Sequence, residues 1–498
     1  MQISIQLDSD APLSLQEQLA GHLRASIAAG RINPGCRLPG SRAFSDQLRV
    51  SRNTVLAAYD CLAAEGYVVA RAGAGTFVSD RPPATDCLPR TRSRSPDVAD
   101  GQSEPRLTER GGAGYAATAM ADPPDFNFEL EGMDPDIFPG NVWRRLTMRR
   151  MRSSTFNLTR DDARFGLRDL REALRDFLNA TRGIAVDADQ IVIVTGIQQA
   201  LNVVGHLLVR PGISVVTEAP GCSMIAGLYD SYGGKSFPVV ADCDGIRVEQ
   251  LPACRDAVVL VTPSRHFPLG GILSTARRQA LLAWAHRTSS WLVDVDFDSD
   301  FFYDGAPPAS LQAIDHEGRF IYTGSFAMTI GSGLRIGYIV LPSNMVDRAK
   351  RAVRLIDYGF PCHGAPWLDQ TVLADFIESG GYDKHLRVLR RNYLERRDCL
   401  ISGLRQYFGD VDLRGISSGT HLTWRLPEQF ANATQCTARA RASGVAVYTL
   451  KTSALDGTDC IVDADYLGDW DRYLLLGFAS MRSSVIEAAV GRLAGAIS

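Results

Sequence analysis

Ser51-Arg52-Asn53-Thr54 stands at the head of RNTVLAAYDCLAAEGY, whose apolar residues recur at helical spacing. Polar side chains at a helix start can reach base edges in a major groove. Arg52 suits guanine or a phosphate, Asn53 suits adenine, and Ser51 and Thr54 suit phosphate oxygens. Arg42 opens the preceding helix, where the helix dipole also favours an anion. Arg71 flanks Ala72-Gly73-Ala74-Gly75, a tight turn in which Gly73 and Gly75 let a backbone approach a duplex closely. Tyr59, further along the helix, is counted with this nucleic-acid set. Amine chemistry has few candidates, because only Lys235, Lys350, Lys384 and Lys451 among 53 basic residues are lysines. Ten cysteines are scattered with no CxxC spacing, so no zinc or other metal site is expected, and reduced, mostly packed thiols are.

These groups need elements to hold them. Leu15, Leu19, Leu23 and Ile27 recur every four residues and predict a first helix, broken at Asn33-Pro34-Gly35. Ser41 and Arg42 open a second helix. Ser51 is a good N-cap for a third, with Val55, Tyr59 and Leu62 on one face. Residues 67–71 and 76–78 read as two short strands around the glycine turn. Three helices followed by a hairpin make a winged helix-turn-helix over residues 1–80. Residues 81–122 carry five prolines, an RTRSRS stretch and no apolar period, and read as a flexible linker. From 123 to 498, apolar runs at 191–195, 213–217, 257–262, 291–295, 319–324 and 335–341 alternate with helical patterns. This predicts an α/β domain with a mostly parallel sheet covered on both faces. A large lobe spans about 160–375, and a smaller α+β lobe about 376–498 includes LTWRL and YLLLGFA.

A chain of 498 residues with 45% hydrophobic content can bury a sizeable core, which excludes wholesale disorder. A net charge of -3 excludes a chain basic from end to end, so any nucleic-acid surface must be local. Residues 31–71 hold six arginines against three acids, whereas residues 1–80 hold seven of each sign. No run of 18 apolar residues appears, and MQISIQLDSD lacks the basic flank and apolar core of a signal peptide, so a cytoplasmic location is expected.

The segment PGCRLPGSRAFSDQLRVSRNTVLAAYDCLAAEGYVVARAGAGTFV resembles the GntR family of bacterial repressors and activators, departing at Gly40, where Ser or Ala is usual. Residues 123–498 resemble fold-type I aminotransferases, as fused to a GntR domain in the MocR subfamily. The segments that carry this are GMDPDIFPGNVWRRL, GIQQALNVV, EAPG, VTPSRHFPLGG, DFDSDFFY, YTGSFAMTIGSGLRIGYIV and SGGYDKHLRVLRRNYLERRDCL. The resemblance implies a double-stranded DNA operator, a head-to-tail homodimer, and a domain that typically binds pyridoxal 5′-phosphate (PLP) and senses an amine or amino acid.

Residue by residue, the resemblance also implies that the PLP site is degenerate. Met328 stands at the Schiff-base lysine, in GSFAMTI for a motif like GTFSKTL. Val295 stands at the pyridine-nitrogen aspartate and Phe297 at the ring-hydroxyl tyrosine; a one-residue slip would bring Asp294 or Asp296 to the ring instead. Cys222 replaces the ring-stacking aromatic, Ile197 a phosphate-binding serine, and Leu475 the arginine that would hold a substrate carboxylate. Arg265-His266 replaces His-Gln, while Ser325 and Arg335 survive as phosphate ligands. Each polar group of PLP buried without a partner costs about 1–3 kcal/mol. The expectation is therefore a transcription regulator whose aminotransferase-like domain is inactive, takes no PLP, and serves dimerisation. Either the old pocket is filled by apolar packing, or Arg335 and Ser325 anchor an anionic effector that Cys222, Phe297 and Met328 also touch. The alternatives are a PLP-binding sensor or enzyme with residual cofactor binding, and a constitutive regulator whose large domain only dimerises.

Overall fold

The computed structural model describes residues 7, 13–28, 31–71, 75–79, 123–153, 165–305, 307–315, 317–356, 365–450, 460–461 and 470–497. The linker 81–122 and Gly73 of the wing turn lie outside the described residues. The chain divides into two compact units, Met1–Pro105 and Arg106–Ser498.

In the first unit, helices Leu15–Ala28, Ser41–Leu48 and Arg52–Ala64 precede an antiparallel hairpin of Val68–Arg71 and Gly75–Val78. Leu19, Leu23 and Ile27 of the first helix meet Val55, Ala58 and Leu62 of the third in one apolar cluster. The expected periodicity is thus the core. The second helix contributes Phe44, whose ring stacks on Tyr59 with centroids 6.3 Å apart. Arg49 ends that helix in the left-handed region at φ 54°, turning the chain sharply toward Ser51.

The second unit is built on an eight-stranded mixed sheet. In spatial order its strands are Ile191–Val194, Gly337–Val340, Phe320–Ser325, Trp291–Val295, Val258–Val261, Ser214–Ala219, Lys235–Asp242 and Gly245–Ile246. The five from Phe320–Ser325 to Lys235–Asp242 are parallel neighbours, while Gly337–Val340 runs antiparallel to both of its neighbours. Helices on both faces explain why the central strands read as continuous apolar runs rather than alternating ones. One face packs under Ile197–Leu208 and Val346–Ile356; the other meets Arg168–Arg182, Thr275–Thr288 and Trp367–Glu378.

The strand Lys235–Asp242 is absent from the sequence expectation. Pro238 and an exposed Lys235 interrupt its apolar pattern. Most of its length has a sheet neighbour on one side only, where a missing N–H is tolerated.

The smaller lobe holds a four-stranded sheet in the order Asp412–Arg414, His421–Arg425, Tyr473–Gly477, Tyr448–Thr449. LTWRL and YLLLGFA supply its two central strands, as expected. The lobe also recruits the start of the unit, because Phe126–Asn127 pairs in parallel with Val445–Ala446. A two-residue strand carries no period that sequence reading could detect.

Leu62 is fully buried between the first and third helices. Leu62→Ala should lower the stability of the first unit by about 2–5 kcal/mol. Hydrogen exchange of amides in residues 15–78 should accelerate accordingly.

Candidate functional site

The third helix starts at Arg52, with Ser51 as its N-cap. Ser51 Oγ accepts the Thr54 N–H at 3.1 Å and lies 2.8 Å from Thr54 Oγ1. Both hydroxyls therefore hold the helix start, which leaves Arg52 and Asn53 exposed at its tip. Arg52 Nε donates to Ser41 Oγ at 3.2 Å, so the first turn of the second helix steadies the guanidinium. Arg42, one residue further on, is exposed.

Tyr59 corrects the sequence expectation. It is only 6% exposed, and its hydroxyl donates to the Pro39 carbonyl at 2.8 Å. It braces the two helices from inside and is no surface group for DNA. Burial raises its pKa accordingly. At the wing, the Arg71 guanidinium lies 4.8 Å from the centre of the Phe77 ring. Gly75 has φ +109°, and a Cβ there would sit 3.0 Å from Arg37 Nε. Arg37 pairs by a backbone bridge with Phe77 and is exposed beside this turn. Sequence reading counted its charge without placing it, because the pairing spans forty residues.

The former cofactor positions disperse into separate apolar clusters. Met328 is 6% exposed and packs in the cluster that contains Phe326, Ile330 and Tyr382. Val295, 5% exposed, belongs to the cluster on the opposite sheet face, with Ile197 packed against it. Leu475 is fully buried in a third cluster with Leu269, Leu450 and Tyr473. Phe297 meets Phe267 edge to face, with centroids 5.8 Å apart. Among the surviving ligands, Ser325 Oγ accepts the Ala327 N–H at 3.1 Å. Arg335 is exposed at φ 52° and makes no ion pair with the described residues.

The register answers the slip. Asp294 pairs across from Tyr322 and Val295 from Thr323. Strand alternation therefore turns Asp294 away from the face that carries Ile197–Leu208. Asp294 is fully buried, and neither carboxyl oxygen has a hydrogen-bond partner. Burial first, and the Asp296 charge second, push its pKa well above the ordinary range. Asp296 is engaged elsewhere, accepting from Ser299 and from the Tyr322 hydroxyl.

Arg265 and His266 both lie in the buried interior. Arg265 is buried and donates to Asp298 at 2.9 Å, to the Ser418 carbonyl at 3.1 Å and to the His421 carbonyl at 2.9 Å. It ties the large lobe to the small one. Gly419 is required there, since a Cβ would lie 2.0 Å from Arg265 Nε. Burial pushes Asp298 up to about 6, against the pull of Arg265. His266 is fully buried, and neither ring nitrogen meets hydrogen-bond geometry. Burial, then the Arg265 charge, push it down to about 4, and the Pro220 backbone offsets only a little of this. Cys222 is half-buried at the N-cap of helix Ser223–Ser231, and burial raises its thiol pKa.

A cavity of about 690 Å³ lies nearby, walled by residues that include Glu129, Glu131, Asp134, Phe267 and Tyr448. None of the nine former cofactor positions lines it, and among the described residues no lysine or arginine does. Its charged wall is carboxylate, the opposite of a phosphate cradle. Among the described residues no helix is long and apolar enough to cross a membrane.

A winged helix-turn-helix with an arginine-tipped recognition helix, followed by a fold-type I aminotransferase-like domain, defines a class of bacterial DNA-binding regulators. Residues 15–78 match the model for bacterial regulatory proteins of the gntR family, and residues 142–450 match aminotransferase class I and II. The chain is 34% identical over 406 residues to the probable rhizopine catabolism regulatory protein MocR of Rhizobium meliloti, covering 81% of this chain and 80% of that protein. It is 30% identical over 463 residues to the HTH-type transcriptional regulator YhdI of Bacillus subtilis, covering 92% of each. Kynurenine aminotransferase of Pyrococcus horikoshii shares the fold, with a TM-score of 0.65 at 24% identity over 76% of this chain and 91% of that one. The chain belongs to the MocR subfamily of GntR transcription regulators, and its winged helix binds DNA.

Glu218 of the EAPG segment offers a direct test of how dry this interior is. It is buried and accepts the Thr262 N–H at 3.0 Å, yet burial pushes it up to about 7 from 4.5. A carboxyl raised in the folded state keeps its proton there, so its contribution is full below the unfolded pKa. That contribution is lost as pH rises toward 7. Wild type should lose up to about 3 kcal/mol relative to Glu218→Gln between pH 4.5 and pH 7. Parallel denaturant titrations read the difference.

Proposed function

We propose that this chain regulates transcription through an aminotransferase-like domain that binds no PLP, catalyses no transamination, and serves to pair two copies of the chain. The observation that carries this reading is Met328, an apolar side chain in an apolar cluster at the Schiff-base position. PLP chemistry draws on a lysine aldimine and on an acid against the pyridine nitrogen. Val295 and Phe297 offer the ring nitrogen and hydroxyl no polar partner, and Asp294 faces the other side of the sheet. The residues present do not fit the cofactor.

Pairing is supported by Phe138, Met148 and Met151, which are 38–48% exposed on one segment. Arg144, Arg145 and Arg149 punctuate the same segment. Linked wings that engage two half-sites gain effective concentration without new contacts. Any small-molecule signal reaches this domain by chemistry other than a Schiff base.

Two measurements test the reading. The purified full chain mixed with PLP should develop no internal-aldimine absorbance band; a stoichiometric band would refute the proposal. On a duplex selected by wild type from a random pool, Arg52→Ala should lower affinity by about 1–3 kcal/mol and relax sequence preference. Wild-type affinity should also fall steeply with salt, as released counterions require. Unchanged operator affinity in the Arg52 variant would show that another element reads the bases.

A further inference from the structure

The wing has a third strand that local pattern hides. The Val78 N–H donates to the Cys36 carbonyl at 2.8 Å, and the Leu38 N–H donates to the Thr76 carbonyl at 2.8 Å. These bonds lay residues 36–38 antiparallel along Gly75–Val78, on the side away from Val68–Arg71, with Arg37 opposite Phe77. Val69 opposes Phe77 on the other flank, and Arg71 opposes Gly75. Opposed residues share a face of a sheet, as do residues two apart on one strand. Arg37, Phe77, Val69 and Arg71 therefore occupy one face of the wing.

Two guanidinium groups meet on that face. Arg71 lies over the Phe77 ring, 4.8 Å from its centre. Arg37 reaches toward the turn end of the hairpin, where a Cβ on Gly75 would lie 3.0 Å from its Nε and 3.3 Å from its Nη2. Gly75, lacking that atom, leaves room for the guanidinium. Both arginines are exposed. Residues 67–79 contain no acid, and the Arg37 side chain forms no ion pair with the described residues. By contrast, Arg24 in the same unit is answered by Glu65 at 2.6 Å. Like charges on a face without an acid repel one another, and a polyanion docked there relieves the repulsion. The planar fork of a guanidinium also matches the oxygens of a phosphate.

We infer that Arg37 is a DNA phosphate ligand, and that with Arg71 it makes this face of the wing a two-guanidinium clamp on the duplex backbone. Arg37 lies outside the helix Arg52–Ala64 that presents Arg52 and Asn53. A backbone ladder and the missing side chain at position 75 set its place. A phosphate contact of this kind fixes how the duplex lies on the unit, not which bases are read. The inference rests on DNA binding by the winged helix and is independent of what the aminotransferase-like domain binds.

The test measures affinity of the full chain for the duplex selected by wild type, across about 50–200 mM salt. Arg37→Ala should make the slope of log affinity against log salt shallower by about 0.9, the share of one phosphate contact. Its affinity should fall by the same factor on the selected duplex and on duplexes carrying single base changes. Arg37→Lys keeps the charge and should keep the wild-type slope. Arg24→Ala removes one positive charge outside the wing and should also keep it, which separates a contact from bulk charge. An Arg37→Ala slope equal to that of wild type would overturn the assignment. So would a loss confined to particular base changes, or an equally shallow slope in Arg24→Ala. If Arg52→Ala relaxes sequence preference while Arg37→Ala leaves the slope unchanged, this inference falls and the recognition helix stands. Thermal unfolding of each variant confirms that it folds.

Discussion

A dry interior accepts a charged or hydrogen-bonding group only when another group answers it. On the proposed reading, the centre of this aminotransferase-like domain meets that constraint with apolar replacements. Met328, Val295 and Leu475 occupy the positions where the resemblance places an amine, a carboxylate and a guanidinium, and each packs in a different apolar cluster. A bound cofactor would satisfy such polar groups in an aminotransferase. If none is bound, as proposed above, an unanswered lysine beside Phe326 and Ile330 would be costly, and methionine fills the space with a flexible apolar side chain.

What polar chemistry remains in the interior is structural. Arg265 binds the Asp298 carboxylate of its own lobe and two carbonyls from the small lobe, and Arg182 stands 2.7 Å from Asp300. The two Arg265–carbonyl bonds fix one lobe against the other, while Arg182–Asp300 closes within the large lobe. Asp294 and His266, by contrast, are buried with unanswered polar atoms, and both are driven toward their neutral forms. The DNA-binding unit solves a different problem. Ser51 Oγ accepts the Thr54 amide and pairs with the Thr54 hydroxyl at the helix start, so Arg52 and Asn53 are left for an external partner.

Much of this was legible from residue patterns. The four-residue apolar period, the Ser51 cap and the glycine turn define the winged helix, and the apolar runs locate six of the eight large-sheet strands. Local pattern failed wherever the determining contact was distant. Tyr59 looks like a polar face residue until Pro39, twenty positions away, accepts its hydroxyl. Arg37 acquires a place only through its bridge to Phe77. The strand Lys235–Asp242 hides behind a proline that an edge tolerates. The substitutions at 295, 297 and 328 could be read through family resemblance, but which sheet face Asp294 takes needed the strand register.

The measurement closest to the central claim restores the missing amine. In the Met328→Lys variant, the account predicts a loss of stability of several kcal/mol, as an unpaired charge enters an apolar cluster. It also predicts no aldimine absorbance when PLP is added. A variant that folds as stably as wild type and forms a stoichiometric aldimine would contradict the account, because it would reveal a cofactor pocket still open around position 328.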